Sequence, residues 1–108
     1  MNIRQFNKSD IEKCAALYQQ AYNRPPWNYN FTNEKAVKYL TEYADRSRFE
    51  GFIAEDNGHI VGAVMGHSKT WWTNDIIYID ELFVEPDSRG KGYGKKLLDH
   101  IEDYSREK

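Results

Sequence analysis

The apolar positions of this chain change period along its length, and the changes mark out its elements. Asn2 to Phe6 reads as a short strand. Ile11, Cys14, Leu17, Tyr18, Ala21 and Tyr22 then recur at helical spacing, one apolar stripe on a polar background. Ser9 and Glu12 stand at the spacing of a capping box, which predicts where that helix begins. Pro25 and Pro26 end it, because neither can donate to the hydrogen-bond ladder. Ala36, Val37, Leu40, Tyr43 and Ala44 predict a second helix over Glu34 to Asp45, capped by Thr32 or Asn33. Phe49 to Ala54 and Ile60 to Gly66 read as strands joined through Asn57-Gly58, a strong hairpin signal. Trp71 to Asp75 makes the next reversal. Ile76 to Val84 is rich in β-branched and aromatic residues and reads as a fourth strand, stopped by Pro86. Helical spacing returns at Tyr93, Leu97, Leu98, Ile101 and Tyr104. The predicted order is therefore β-α-α-β-β-β-α.

Composition narrows the setting. A chain of 108 residues is one domain, 1–108, and 40% hydrophobic with 15% aromatic residues is enough for one core. No apolar run approaches the roughly 20 residues of a membrane span, and Met1 to Gln5 has no signal-peptide core, so no membrane role is expected. A lone cysteine forms no intramolecular disulfide and suits a reducing cytoplasm; on its apolar stripe Cys14 reads as a buried thiol. His59, His67 and His100 have no metal-ligand spacing, so no metal is expected. A net charge of −2 without a long basic stripe speaks against a nucleic-acid partner.

The chemistry concentrates after the fourth strand. Gly90, Gly92 and Gly94 fall within five residues, among Arg89, Lys91, Lys95 and Lys96. Glycines let backbone approach a ligand, and a helix start presents unpaired N–H groups with partial positive charge. A strand, a Gly-rich turn and a helix N-terminus make an anion site, and phosphate is the usual anion. The alternative is a tight turn before a solvated basic helix. The dense aromatics Trp27, Tyr29 and Phe31 read either as a loop pinned to the core or as a pocket wall.

The run Glu81-Leu82-Phe83-Val84-Glu85-Pro86, then Arg89-x-x-Gly92-x-Gly94, then Leu97-Leu98, resembles the acetyl-CoA loop of the GNAT N-acetyltransferase superfamily. The resemblance implies an α+β fold with α/β/α-like layers and a mixed, mainly antiparallel sheet. It implies N-acetyl transfer from acetyl-CoA to a primary amine of a small molecule or peptide. The pyrophosphate would rest on the backbone of Arg89, Gly90, Lys91, Gly92, Tyr93 and Gly94, with Lys95 nearby. Leu82, Phe83 and Val84 would supply an oxyanion donor, and Trp27, Tyr29 and Phe31 would line the acceptor site.

The strand offers two candidate bases, Glu81 and Asp80, with Glu81 favoured. In a regular strand they would point to opposite faces, although the family's bulge at this strand leaves parity undecided. A complete family fold continues past Lys108 with further strands and a helix, including the tyrosine that often protonates the departing thiolate. By position nothing in this chain replaces that tyrosine. The expectation is thus a C-terminally short domain whose exposed fourth-strand edge leads to homo-oligomers or needs a partner chain. The alternative function is a non-catalytic module that binds CoA or a nucleotide phosphate.

Overall fold

A computed structural model describes residues 1–88 and 90–107. The elements follow the predicted order: β1 (Asn2–Gln5), α1 (Ile11–Tyr22), α2 (Asn33–Ala44), β2 (Phe49–Asp56), β3 (His59–Lys69), β4 (Ile76–Val84) and α3 (Tyr93–Arg106). The four strands form one sheet in the order β1-β2-β3-β4, antiparallel at each pairing.

Two apolar layers sandwich the sheet. On one face the α1 and α2 stripes, with Cys14, Leu17, Tyr18, Ala36 and Leu40, bury Ile53, Ala63, Met65 and Phe83. On the other, Tyr93, Leu97 and Ile101 of α3 cover Phe52, Ala54, Val61 and Val64. Burial pushes the Cys14 thiol up to about 12, so it packs as a small apolar group. Strict alternation would place Val61 with Ala63. The β2–β3 register shifts at Ala54/Glu55, and Val61 joins Val64 instead.

Two boundaries differ from the sequence expectation. The chain enters α1 through a 3₁₀ turn, Lys8–Asp10, and the capping pair is Asn7 with Asp10, in place of Ser9 with Glu12. Asp10 accepts the Asn7 N–H at 2.8 Å because Arg4 holds its carboxylate with two 2.8 Å bonds. The β2–β3 hairpin is also longer than predicted. Asn57 and Gly58 both take positive φ, +53° and +80°, which carries pairing to Asp56 and His59 at the turn. Thr32 caps α2 as anticipated, accepting the Lys35 N–H.

Candidate active site

The site is organised by a slip in β4. Gly66 opposes Ile79 and Met65 opposes Glu81, so Asp80 is an extra residue in the ladder. Gly66 permits this. A Cβ there would sit 2.0 Å from the Tyr78 carbonyl oxygen, so no side chain is accommodated.

The extra residue cancels the alternation, and the neighbours Asp80 and Glu81 both bond to α2. The Tyr39 hydroxyl donates to Glu81 Oε2 at 2.5 Å, and the Tyr43 hydroxyl donates to Asp80 Oδ2. Tyr39 and Tyr43 are one helical turn apart, the spacing that puts two side chains on one face. The opposite-face geometry of a regular strand is therefore not what this chain adopts. His67 Nδ1 lies 2.7 Å from the same Asp80 oxygen, so Asp80 is shared between β3 and α2.

These surroundings separate the two carboxyl groups. Burial raises the Glu81 pKa; the Tyr39 hydrogen bond opposes that and the Asp80 charge adds to it, with a net upward shift. At Asp80 burial also pushes upward, but the bonds from Tyr43 and His67 outweigh it and hold the group below the usual carboxylate range. Asp80 is thus held as an anion, while Glu81 binds its proton more readily than an ordinary glutamate. Burial, followed by the carboxylate partner, raises both Tyr39 and Tyr43, so they remain protonated donors.

Beyond the slip, alternation resumes. The Glu85 N–H donates to the Val61 carbonyl of β3 at 2.8 Å. Stepping back by two, the Phe83 backbone also faces β3, whereas Leu82 and Val84 turn theirs to the outer edge. The Tyr22 hydroxyl, reaching the Leu82 carbonyl at 3.1 Å from that side, agrees. Of the three predicted backbone donors, Leu82 and Val84 present amides outward and Phe83 does not.

This edge lines a cleft of about 570 Å³ together with Tyr22, Trp27, Gly90, Gly92 and Gly94. A hollow of about 610 Å³ between α1 and the β2–β3 turn shares only Ser88 with it and holds none of the predicted site residues.

Among the lining glycines, Gly92 caps α3 at φ +80°. The first bond within the helix runs from the Lys96 N–H to the Gly92 carbonyl, 3.0 Å, so the amides of Tyr93, Gly94 and Lys95 have no carbonyl within the helix. No acidic side chain stands in that first turn to compete for them, unlike α1 and α2, which carry Glu12 and Glu34 there. Lys91 is exposed on the loop, whereas the Lys95 ammonium is drawn to Asp99 at 3.2 Å. The Tyr93 hydroxyl donates to Asp56 on the hairpin, 2.8 Å away. Arg89 lies outside the described residues.

The aromatic loop both packs and lines. Asn23 fastens Phe31 through its N–H and its carbonyl, at 3.0 and 2.9 Å, and the half-buried Phe31 ring packs on Tyr18. Trp27 meets Tyr22 edge-on at 5.1 Å and lines the cleft. Tyr29 stacks on Tyr22 and stays 48% exposed. Sequence reasoning placed Tyr22 and Tyr43 only on apolar stripes and passed over Tyr39. The available signal was chemical: a tyrosine on a buried stripe brings a hydroxyl that must find a partner.

The chain belongs to the acetyltransferase (GNAT) family, whose profile matches residues 12–108. It is 31% identical to an uncharacterized N-acetyltransferase of Archaeoglobus fulgidus, over all of this chain and 76% of that protein. It is 30% identical to an uncharacterized N-acetyltransferase of Methanocaldococcus jannaschii, over 98% of this chain but only about half, 48%, of that protein. In fold it is similar to a GNAT family acetyltransferase of Staphylococcus aureus, with a TM-score of 0.80 and 23% identity over 98% of this chain and 78% of the other. An aminoglycoside N-acetyltransferase solved in complex with CoA gives a TM-score of 0.72 and 21% identity over 98% and 69%. Among the described residues no His, Cys, Asp and Glu cluster could hold a metal ion, and no helix is long and apolar enough to cross a membrane.

Proposed function

We propose that this chain moves an acetyl group from acetyl-CoA to a primary amine of a small molecule or peptide, using Glu81 as the base. The observation that carries this reading is continuity. One cleft runs from the first turn of α3 at Tyr93 and Gly94 along the outward amides of β4, and Glu81 directly precedes that edge.

Each residue has a definable task. The amides of Tyr93, Gly94 and Lys95, with the α3 dipole, suit a pyrophosphate, and exposed Lys91 adds charge. Acetyl-CoA, when bound, supplies the thioester. Leu82 and Val84 direct N–H groups to where charge would develop on its carbonyl oxygen. An ammonium has no lone pair, so Glu81 must take a proton from the acceptor, directly or through water. Trp27 and Tyr29 offer an aromatic wall to the acceptor. Asp80, held by Tyr43 and His67, keeps a fixed negative charge beside Glu81.

Calorimetry with acetyl-CoA, paired with CoA-release assays over small amines and peptides, tests the reading. Binding with turnover on at least one amine supports it. Binding without turnover on any amine would leave a CoA-binding module, and no binding would overturn the reading.

A further inference from the structure

We propose that Tyr22, the last residue of α1, is the general acid that protonates the departing thiolate. This rests on the acetyl-transfer reading above.

The leaving group of that reaction is a thiolate at the β4 edge. As the C–S bond breaks, its electron pair passes to sulfur, and the products are the N-acetylated amine and CoA. A proton must reach the sulfur, and a positioned side chain delivers it faster than water. Tyr22 and Leu82 are 60 residues apart in sequence, and the tertiary fold brings them together at this edge.

The Tyr22 hydroxyl meets the outer edge of β4 at the Leu82 carbonyl, 3.1 Å away, inside the cleft. In a strand the N–H and C=O of one residue point to the same side. Tyr22 therefore stands beside the Leu82 amide that would hold the thioester oxygen, and the sulfur is one bond from that carbonyl carbon. The other tyrosine hydroxyls with identified partners are committed elsewhere: Tyr39 to Glu81, Tyr43 to Asp80 and Tyr93 to Asp56. Ser88 lines the cleft near its glycine end, where the pyrophosphate would lie.

The Tyr22 ring is also held in place. Tyr18, Trp27 and Tyr29 surround it at ring-centroid distances of 4.7, 5.1 and 5.8 Å, and its carbonyl accepts the Tyr29 N–H at 2.8 Å. An acid so placed needs only to transfer its hydrogen bond from the Leu82 carbonyl to the neighbouring sulfur. The phenolate then regains its proton from water.

Tyr22→Phe keeps the ring and its packing and removes the proton, so it is the informative variant. Three readouts apply. Turnover of acetyl-CoA should fall about 10²-fold or more with its binding affinity nearly unchanged. With an acetyl thioester of an acidic aromatic thiol, whose thiolate leaves without protonation, the variant should come within a few-fold of wild type. Independently of turnover, the ultraviolet absorbance of the thiolate of bound CoA should show the thiol ionising at higher pH in the variant, because the phenol no longer stabilises the anion.

Equal loss with both acyl donors, or no shift in the thiol titration, would overturn the role of Tyr22. A wild-type chain that binds CoA but acetylates no amine would instead overturn the transfer reaction beneath it. In that case the thiol titration still reports whether Tyr22 meets the sulfur.

Discussion

The phenol of Tyr39 donates to the Glu81 carboxylate across 2.5 Å, joining the middle of α2 to the strand residue just past the β4 slip. The bond works against burial. It favours the ionised carboxylate, while burial and the Asp80 charge favour the protonated one. If Glu81 is the base, kcat/KM rises with pH through its raised pKa. Tyr39→Phe removes the one opposing influence, so the acid limb should move to higher pH. Asp80→Asn removes a repelling charge and should move it to lower pH. Steady-state profiles of the two variants check the pair; shifts in the same direction would exclude Glu81 as the titrating base.

Glu81→Gln keeps the shape and removes the proton acceptor. Turnover should fall about 10²- to 10⁴-fold with acetyl-CoA affinity little changed, and the acid limb should vanish from what activity remains. A variant that keeps the wild-type limb assigns the base elsewhere.

Gly66 makes the slip possible, so Gly66→Ala is expected to cost about 1–3 kcal/mol by overpacking. It should also lower activity beyond what stability explains, since a regular ladder would return Asp80 and Glu81 to opposite faces. Thermal unfolding and kcat measured together test both halves.

At the anion site the glycines differ in reason. Gly92 has φ +80° and open space around it, so Gly92→Val strains the backbone by about 1–2 kcal/mol and places a side chain where a pyrophosphate must approach. A Cβ at Gly94 would meet Val84 at an ordinary 3.6 Å, so alanine there should be mild, although valine brings further bulk to the first turn. Calorimetry with CoA should rank Gly92→Val well above Lys96→Ala in damage. Equal losses would mean simple charge attraction.

Arg4 ties β1 to the turn before α1, bonding Asp10 and Glu55 at 2.8 Å. The Arg4 hydrogen bond holds the Asp10 carboxyl below its ordinary range, so the pair's stabilisation is complete above the unfolded value near 3.9. It is lost as pH falls through the folded value. Asp10→Asn should cost about 1–3 kcal/mol at pH 7, and the difference from wild type should shrink below about pH 4. Denaturant titrations at both pH values measure it.

The outer edge of β4 has no strand partner among the described residues, and near it Tyr78 and Ile79 are exposed. Without acetyl-CoA, which would occupy the same edge, we expect the 108-residue chain to self-associate through it. A stable monomer in equilibrium sedimentation at high micromolar concentration would exclude it.

Much of the fold was legible in the sequence because the determining signals are local. Period-3.6 stripes, two prolines, Asn57-Gly58 and Thr32 act on neighbours within a few residues, and α1, α2, β4 and α3 lie where those signals put them. The glycine turn leading into α3 was legible in the same way, since Gly92 at positive φ and a helix N-terminus are properties of consecutive residues. The rest depends on contacts across the chain. Parity in β4 could not be read, because the slip at Asp80 needs the absent side chain of Gly66 on another strand. With that slip, the neighbours Asp80 and Glu81 both reach α2. Their different proton affinities then follow from the deeper burial of Glu81 and from the Tyr43 and His67 bonds to Asp80, none of them set by sequence neighbours. Tyr22 likewise read as one more residue on an apolar stripe, and only the packing of α1 against β4 carries its hydroxyl into the cleft.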